Sequence, residues 1–122
     1  MAQGRKLVTA GLPGPTANAI VGDVANSLTA TGSTQATALQ LQADVNRFTT
    51  VAASTGAILP AMNPGDQVVV FNGGANALLV YPPVGGTINA LAANAGYSVA
   101  TTARTAVFVC VDANTFCAFS AA

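Results

Sequence analysis

From Thr34 onward the chain runs in short apolar stretches, alternating or near-continuous, each stopped by Gly, Pro or Asn. Thr37, Leu39 and Leu41 alternate with Ala38, Gln40 and Gln42, the period of two that a half-buried strand requires. Further candidate strands follow at Asn46 to Ala52, Ala57 to Leu59, Gln67 to Asn72, Ala77 to Tyr81, Thr87 to Asn89, Tyr97 to Thr102, Ala106 to Val111 and Phe116 to Phe119. Asn63-Pro64-Gly65-Asp66, Asn72-Gly73-Gly74, Pro82-Pro83 with Gly85-Gly86, and Asn94-Ala95-Gly96 carry the backbone chemistry of reversals. The pattern predicts an all-β fold: an antiparallel β-sandwich or barrel, jelly-roll-like, of about nine short strands.

Two of those runs suggest a hairpin. Val68-Val69-Val70-Phe71 and Leu78-Leu79-Val80-Tyr81 are near-continuous and apolar, and Asn72 to Asn76 joins them. Burial on both faces in so small a domain points to a neighbouring subunit. The Gly-Gly, Asn-Ala-Leu frame shared by residues 73–78 and 85–91 reads as chance or similar turn chemistry in an Ala-rich chain, not a repeat.

The first 31 residues differ, and they set the domain organisation: an extended arm over 1–31, then one β-domain over 32–122. Gly4, Gly11, Pro13, Gly14 and Pro15 punctuate the arm, and Ala17 to Ala30 holds isolated aliphatics at no steady period. One helical turn between Asp23 and Leu28 is weakly signalled. The stretch Ala17 to Val24 is apolar enough to call for a partner surface. Leu7, Val8, Leu12, Pro13, Ile20 and Val21 are the arm's candidates for contact with a shell or a neighbour.

Composition narrows the function. Of 122 residues, four are Lys or Arg and four are Asp or Glu, with no His. Nucleic-acid binding needs cations to neutralise phosphates, and only Arg5, Lys6, Arg47 and Arg104 are on offer. Disorder is excluded by a 52% hydrophobic fraction and a mean hydropathy of +0.53. The longest uncharged run, from Asp66 to Arg104, is broken by Gly and Pro, so no membrane-spanning helix is expected. A cleaved export signal is not expected either, because the apolar stretch after Lys6 is short and interrupted. So few charges at zero net charge leave little to keep surfaces apart, and the chain is expected to associate.

Catalytic chemistry finds few residues. The carboxylates Asp23, Asp44, Asp66 and Asp112 lie in separate segments, three beside turns or boundaries, where turn and capping roles are expected. Cys110 and Cys117 have no His partner for nucleophilic work, and a zinc site lacks its ligands. The cysteines flank Asp112 to Thr115, so in a hairpin they fall opposite one another. A disulfide suits only certain cross-strand pairs, and two reduced core cysteines are the expectation. Neither a phosphate-binding glycine motif nor a cofactor is expected. Arg47 and Arg104 admit two readings: exposed charges on strand faces, or residues pairing with a carboxylate of another subunit. Tyr81 and Tyr97 alone make a poor stacking platform for sugars.

Three segments carry a resemblance: residues 32–39, residues 48–60, and Asn72 to Pro83 with Gly86-Thr87-Ile88-Asn89. Their order, above all Asn-Ala-Leu-x-Val-Tyr-Pro followed by Gly-x-Ile-Asn, resembles small structural proteins of tailed-bacteriophage virions. The kinds it is similar to are capsid decoration (cement) proteins and the base domains of head fibres, over about two-thirds of the chain. The resemblance implies a non-enzymatic β-rich homotrimer on the outer capsid surface, tying together copies of the major capsid protein. Such a protein would reside in the host cytoplasm during assembly. A head-fibre protein would be expected to continue into a distal region, so decoration is the first expectation and a head-fibre base or adhesive, glycan-binding module the alternative.

Overall fold

A computed structural model of the chain describes residues 23–101 and 104–121. Within them the period-two segments form ten strands and no helix: β1 (Val24–Thr29), β2 (Leu39–Gln40), β3 (Val45–Thr50), β4 (Gly56–Ile58), β5 (Gln67–Asn72), β6 (Leu78–Tyr81), β7 (Thr87–Ile88), β8 (Tyr97–Val99), β9 (Arg104–Asp112) and β10 (Thr115–Ala121). Nine of them overlap the nine segments read from the alternation. The tenth, β1, lies where an arm and a helical turn were expected.

The strands make two sheets, one of six in the order β1-β3-β5-β9-β10-β7 and one of four in the order β2-β4-β6-β8. From β1 to β6 the chain alternates between them, so successive strands of each sheet stack parallel: β1 on β3 on β5, and β2 on β4 on β6. Val24 pairs with Val45, 21 residues on, and Val45 with Val69, 24 residues on. The second half reverses direction. β8 runs antiparallel to β6, and the β9–β10 hairpin lies between β5 and β7, with β9 antiparallel to β5.

The fold is therefore all-β but its sheets are mixed, which corrects the expected antiparallel, jelly-roll-like arrangement. The reason lies at the corner between β5 and β6. Asn72 is wholly buried, and its Nδ2 donates to the carbonyls of Asn76 (2.9 Å), Val99 (3.0 Å) and Ala100 (3.2 Å), while its Oδ1 accepts from the Gly74 N–H (3.0 Å). The corner also docks on the preceding coil: the Gly73 N–H donates to the Phe48 carbonyl at 2.8 Å and Asn76 Nδ2 to the Val51 carbonyl at 3.0 Å. A Cβ on Gly74 would stand 2.6 Å from the Val51 backbone nitrogen. These bonds steer the chain into the other layer, so β5 and β6 belong to different sheets and do not form the expected hairpin.

Both layers share one core. Phe48, Val68, Val70, Phe108 and Phe116 of the large sheet meet Ala57, Leu78, Val80 and Val99 of the small one, all buried. Tyr97 closes over this core edge-on to Phe108, with centroids 5.6 Å apart. Beside the first coil, Asp23 and Asp44 stack: the Asp23 N–H donates to Asp44 Oδ2 at 3.0 Å and the Val45 N–H to the Asp23 carbonyl at 2.9 Å.

Candidate interaction surface

With Phe48, Val70 and Phe108 turned inward, strand pleating turns their neighbours outward. Register then aligns them across the large sheet. Val24 pairs with Val45, Val45 with Val69, Val69 with Val107, and Val107 with Phe119, one apolar row crossing five strands. Flanking rows add Phe71 on one side, and Val109 with Cys117 on the other. Phe119 is 61% exposed, Val111 49% and Val24 47%, whereas Val45, Val69, Phe71, Val107 and Val109 are half-buried by their neighbours on the sheet.

One charge stands in these rows. Arg47 is exposed, donates from Nη1 to Asn26 Oδ1 at 3.0 Å and holds its guanidinium carbon 5.8 Å from the Phe71 ring centre. That places a cation over an aromatic face, with no carboxylate partner among the described residues. Arg104, the other arginine singled out from the sequence, opens β9 half-buried, paired in register with Asn72. Its position alternates with Thr105, so the two arginines sit on opposite faces of the sheet. The arm residues Leu7, Val8, Leu12, Pro13, Ile20 and Val21 lie outside the described residues.

The cysteines do not fall opposite one another. Cys110 pairs in register with Phe116 and Cys117 with Val109, because a register shift follows Thr115. Both thiols are free, with Cys110 buried in the core and Cys117 exposed on the outward face. Each carboxylate meets nearby backbone: Asp23 Oδ1 accepts from the Val24 N–H, Asp44 Oδ2 from Asp23, Asp66 Oδ2 from the Asn63 N–H and Asp112 Oδ1 from the Ala113 N–H. Among the described residues no group of three His, Cys, Asp or Glu is placed to hold a metal, and no helix is long and apolar enough to cross a membrane.

Comparison with protein-family models, with curated proteins and with solved structures finds no match for this chain.

The outward row was only half legible in the sequence. Near-continuous valines in residues 68–70 and 107–111 signalled apolar residues on both faces, but not that they line up. Val24 was missed because β1 was read as arm.

Proposed function

We propose that the chain is a structural virion protein, a capsid decoration (cement) protein that seats as a homotrimer on the outer surface of a phage head. The outward row from Val24 to Phe119 carries the reading. At about 4.8 Å per strand and about 6.8 Å per pair of residues along a strand, five strands by three rows offer roughly 400–500 Å². Arg47, Gln67 and Thr105 share that face, and its apolar part, about half, approaches the few hundred Å² of the largest patches on ordinary monomers, where such patches are often functional. The whole face paired with a like one would bury roughly 900 Å², below the 1,200–2,000 Å² or so of a standard stable interface. Sister subunits and a shell together supply the remainder, and Leu7, Val8, Leu12, Pro13, Ile20 and Val21 of the N-terminal segment are the candidates for contact with the shell or a neighbour.

The mechanism follows from multiplicity. Each copy removes a modest apolar area from water at capsomer seams, at about 25 cal/mol per Å², and repetition over a lattice opposes outward pressure from packaged DNA. The test is the particle itself. Heads lacking the protein should lose heat and osmotic resistance and regain it when the purified protein is added. Intact heads that adsorb poorly to cells would instead favour the adhesive module. Light scattering on the purified protein should give three times the chain mass, and a stable monomer at micromolar concentration would remove the self-association.

A further inference from the structure

Among the described residues, β7 is the last strand on its side of the large sheet, and it spans only two residues against the seven of β10. The parallel ladder between them starts regularly: the Thr87 N–H donates to the Asn114 carbonyl at 2.9 Å and the Asn89 N–H to the Phe116 carbonyl at 2.8 Å. In a continuing ladder the Asn89 carbonyl would accept from the Ala118 N–H, and the Leu91 N–H would donate to the Ala118 carbonyl. Neither bond forms. Asn89 takes a left-handed φ of 53°, which ends the extended run, and the Leu91 N–H folds back on the Ile88 carbonyl at 3.0 Å.

The Asn89 side chain satisfies both groups instead. Its Oδ1 accepts from the Ala118 N–H at 2.9 Å and its Nδ2 donates to the Ala118 carbonyl at 3.0 Å. Asparagine combines what this position uses, tolerance of a left-handed backbone and a short amide with both a donor and an acceptor. Glycine would take the same backbone without the amide, and aspartate would lack the donor. What the amide covers is the edge of the segment best suited to pair with itself. Thr115-Phe116-Cys117-Ala118-Phe119-Ser120-Ala121 is uncharged, has no Pro or Gly and holds two aromatic residues, the composition of strands that stack on copies of themselves. Cys117 and Phe119 turn their peptide groups to β9, where they meet Val109 and Val107 in register, so those of Ala118 point to the outer edge.

We propose that Asn89 guards this edge: by holding the N–H and the carbonyl of Ala118, it keeps β10 from pairing edge to edge with β10 of a second copy. Sheet edges are commonly blunted with charge or proline. In a chain of four cations and four carboxylates, this one is closed by a side-chain amide and a very short outer strand. A second copy is the partner held off, because identical uncharged strands pair with like side chains in line, and Phe119, 61% exposed, stands ready on the outward face. The inference is independent of the virion reading, since it concerns the edge of the sheet and not its face.

Asn89→Gly on the full chain tests it, because Asn89 is exposed and glycine keeps the left-handed backbone while removing the amide. The Ala118 amide should exchange with solvent at least about tenfold faster than in the unmutated chain. The variant should also form thioflavin-binding, β-rich polymers at least about tenfold sooner. Gly74→Ala, whose added Cβ would press on the Val51 backbone with Asn89 left in place, controls for lost stability and should polymerise no sooner than the unmutated chain. An unchanged exchange rate at Ala118 in Asn89→Gly overturns the proposal, and so does faster exchange without polymers. Polymers that form as early in Gly74→Ala overturn it too, by assigning them to unfolding instead of the edge.

Discussion

Two buried asparagines mark two regions of this protein that are built alike and finished differently. At the β5–β6 corner, Asn72 meets three carbonyls and a backbone N–H, and the loop above it rests on the Phe48 and Val51 carbonyls. At the start of β3, Asn46 meets two carbonyls, and its Oδ1 has no partner among the described residues. The corner is closed by the chain on both sides, having a coil before it and β8 after it.

The largest test of that contrast is the pair of leucine substitutions. Asn72→Leu should cost about 3–5 kcal/mol, because removing one amide strands several buried carbonyls at about 1–3 kcal/mol each. Asn46→Leu should cost less, about 1–2 kcal/mol, since it strands two carbonyls but also removes an oxygen that is already unpaired. Urea unfolding of both variants checks this, and equal losses would break the contrast. Gly74→Ala comes next. Its Cβ would press on the Val51 backbone, and overpacking there should cost about 2 kcal/mol, read as a lower urea midpoint, whereas a neutral result would mean that the corner tolerates lifting off the coil.

The outward face should respond in association more than in folding. Phe119→Asp should change unfolding stability by less than about 0.5 kcal/mol, the side chain being 61% exposed. The same change should weaken self-association about tenfold or more, as expected for an aromatic anchor at an interface, and sedimentation across a dilution series reads it. Smallest is Arg47→Gln, which should cost about 0.5–1 kcal/mol of unfolding stability through the lost contact with Phe71, unless a partner's carboxylate meets Arg47, in which case association drops as well.

The strands from β2 to β10 were legible because alternation and turn residues are local signals. Gln67 to Asn72 and Leu78 to Tyr81 were found nearly to the residue. Their relation was misread, since two apolar runs joined by Asn-Gly-Gly suit a hairpin and a change of layer equally well. Only the three carbonyls around Asn72 Nδ2 separate the two. A quieter signal went unused: Asp23, Asp44 and Asp66 recur at near-constant spacing just before β1, β3 and β5. Three carboxylates among so few charges were read singly as turn residues, and their period, which matches the coil, was not. The outward row was hidden for another reason, because alignment across five strands depends on register between segments up to 95 residues apart.

The sequence alone determined that this chain is all-β, that its strands are short, and that it has too few charges to surround itself with water in the usual way. Those properties follow from side-chain period and composition, which act within a few residues. Tertiary structure decided that the first six strands alternate between layers and stack parallel, that Cys110 and Cys117 point to opposite faces, and that scattered valines join Phe119 in one outward stripe. Those outcomes depend on which distant backbone a buried amide can satisfy, and the cost of leaving such a group unpaired is felt only once the chain has closed on itself.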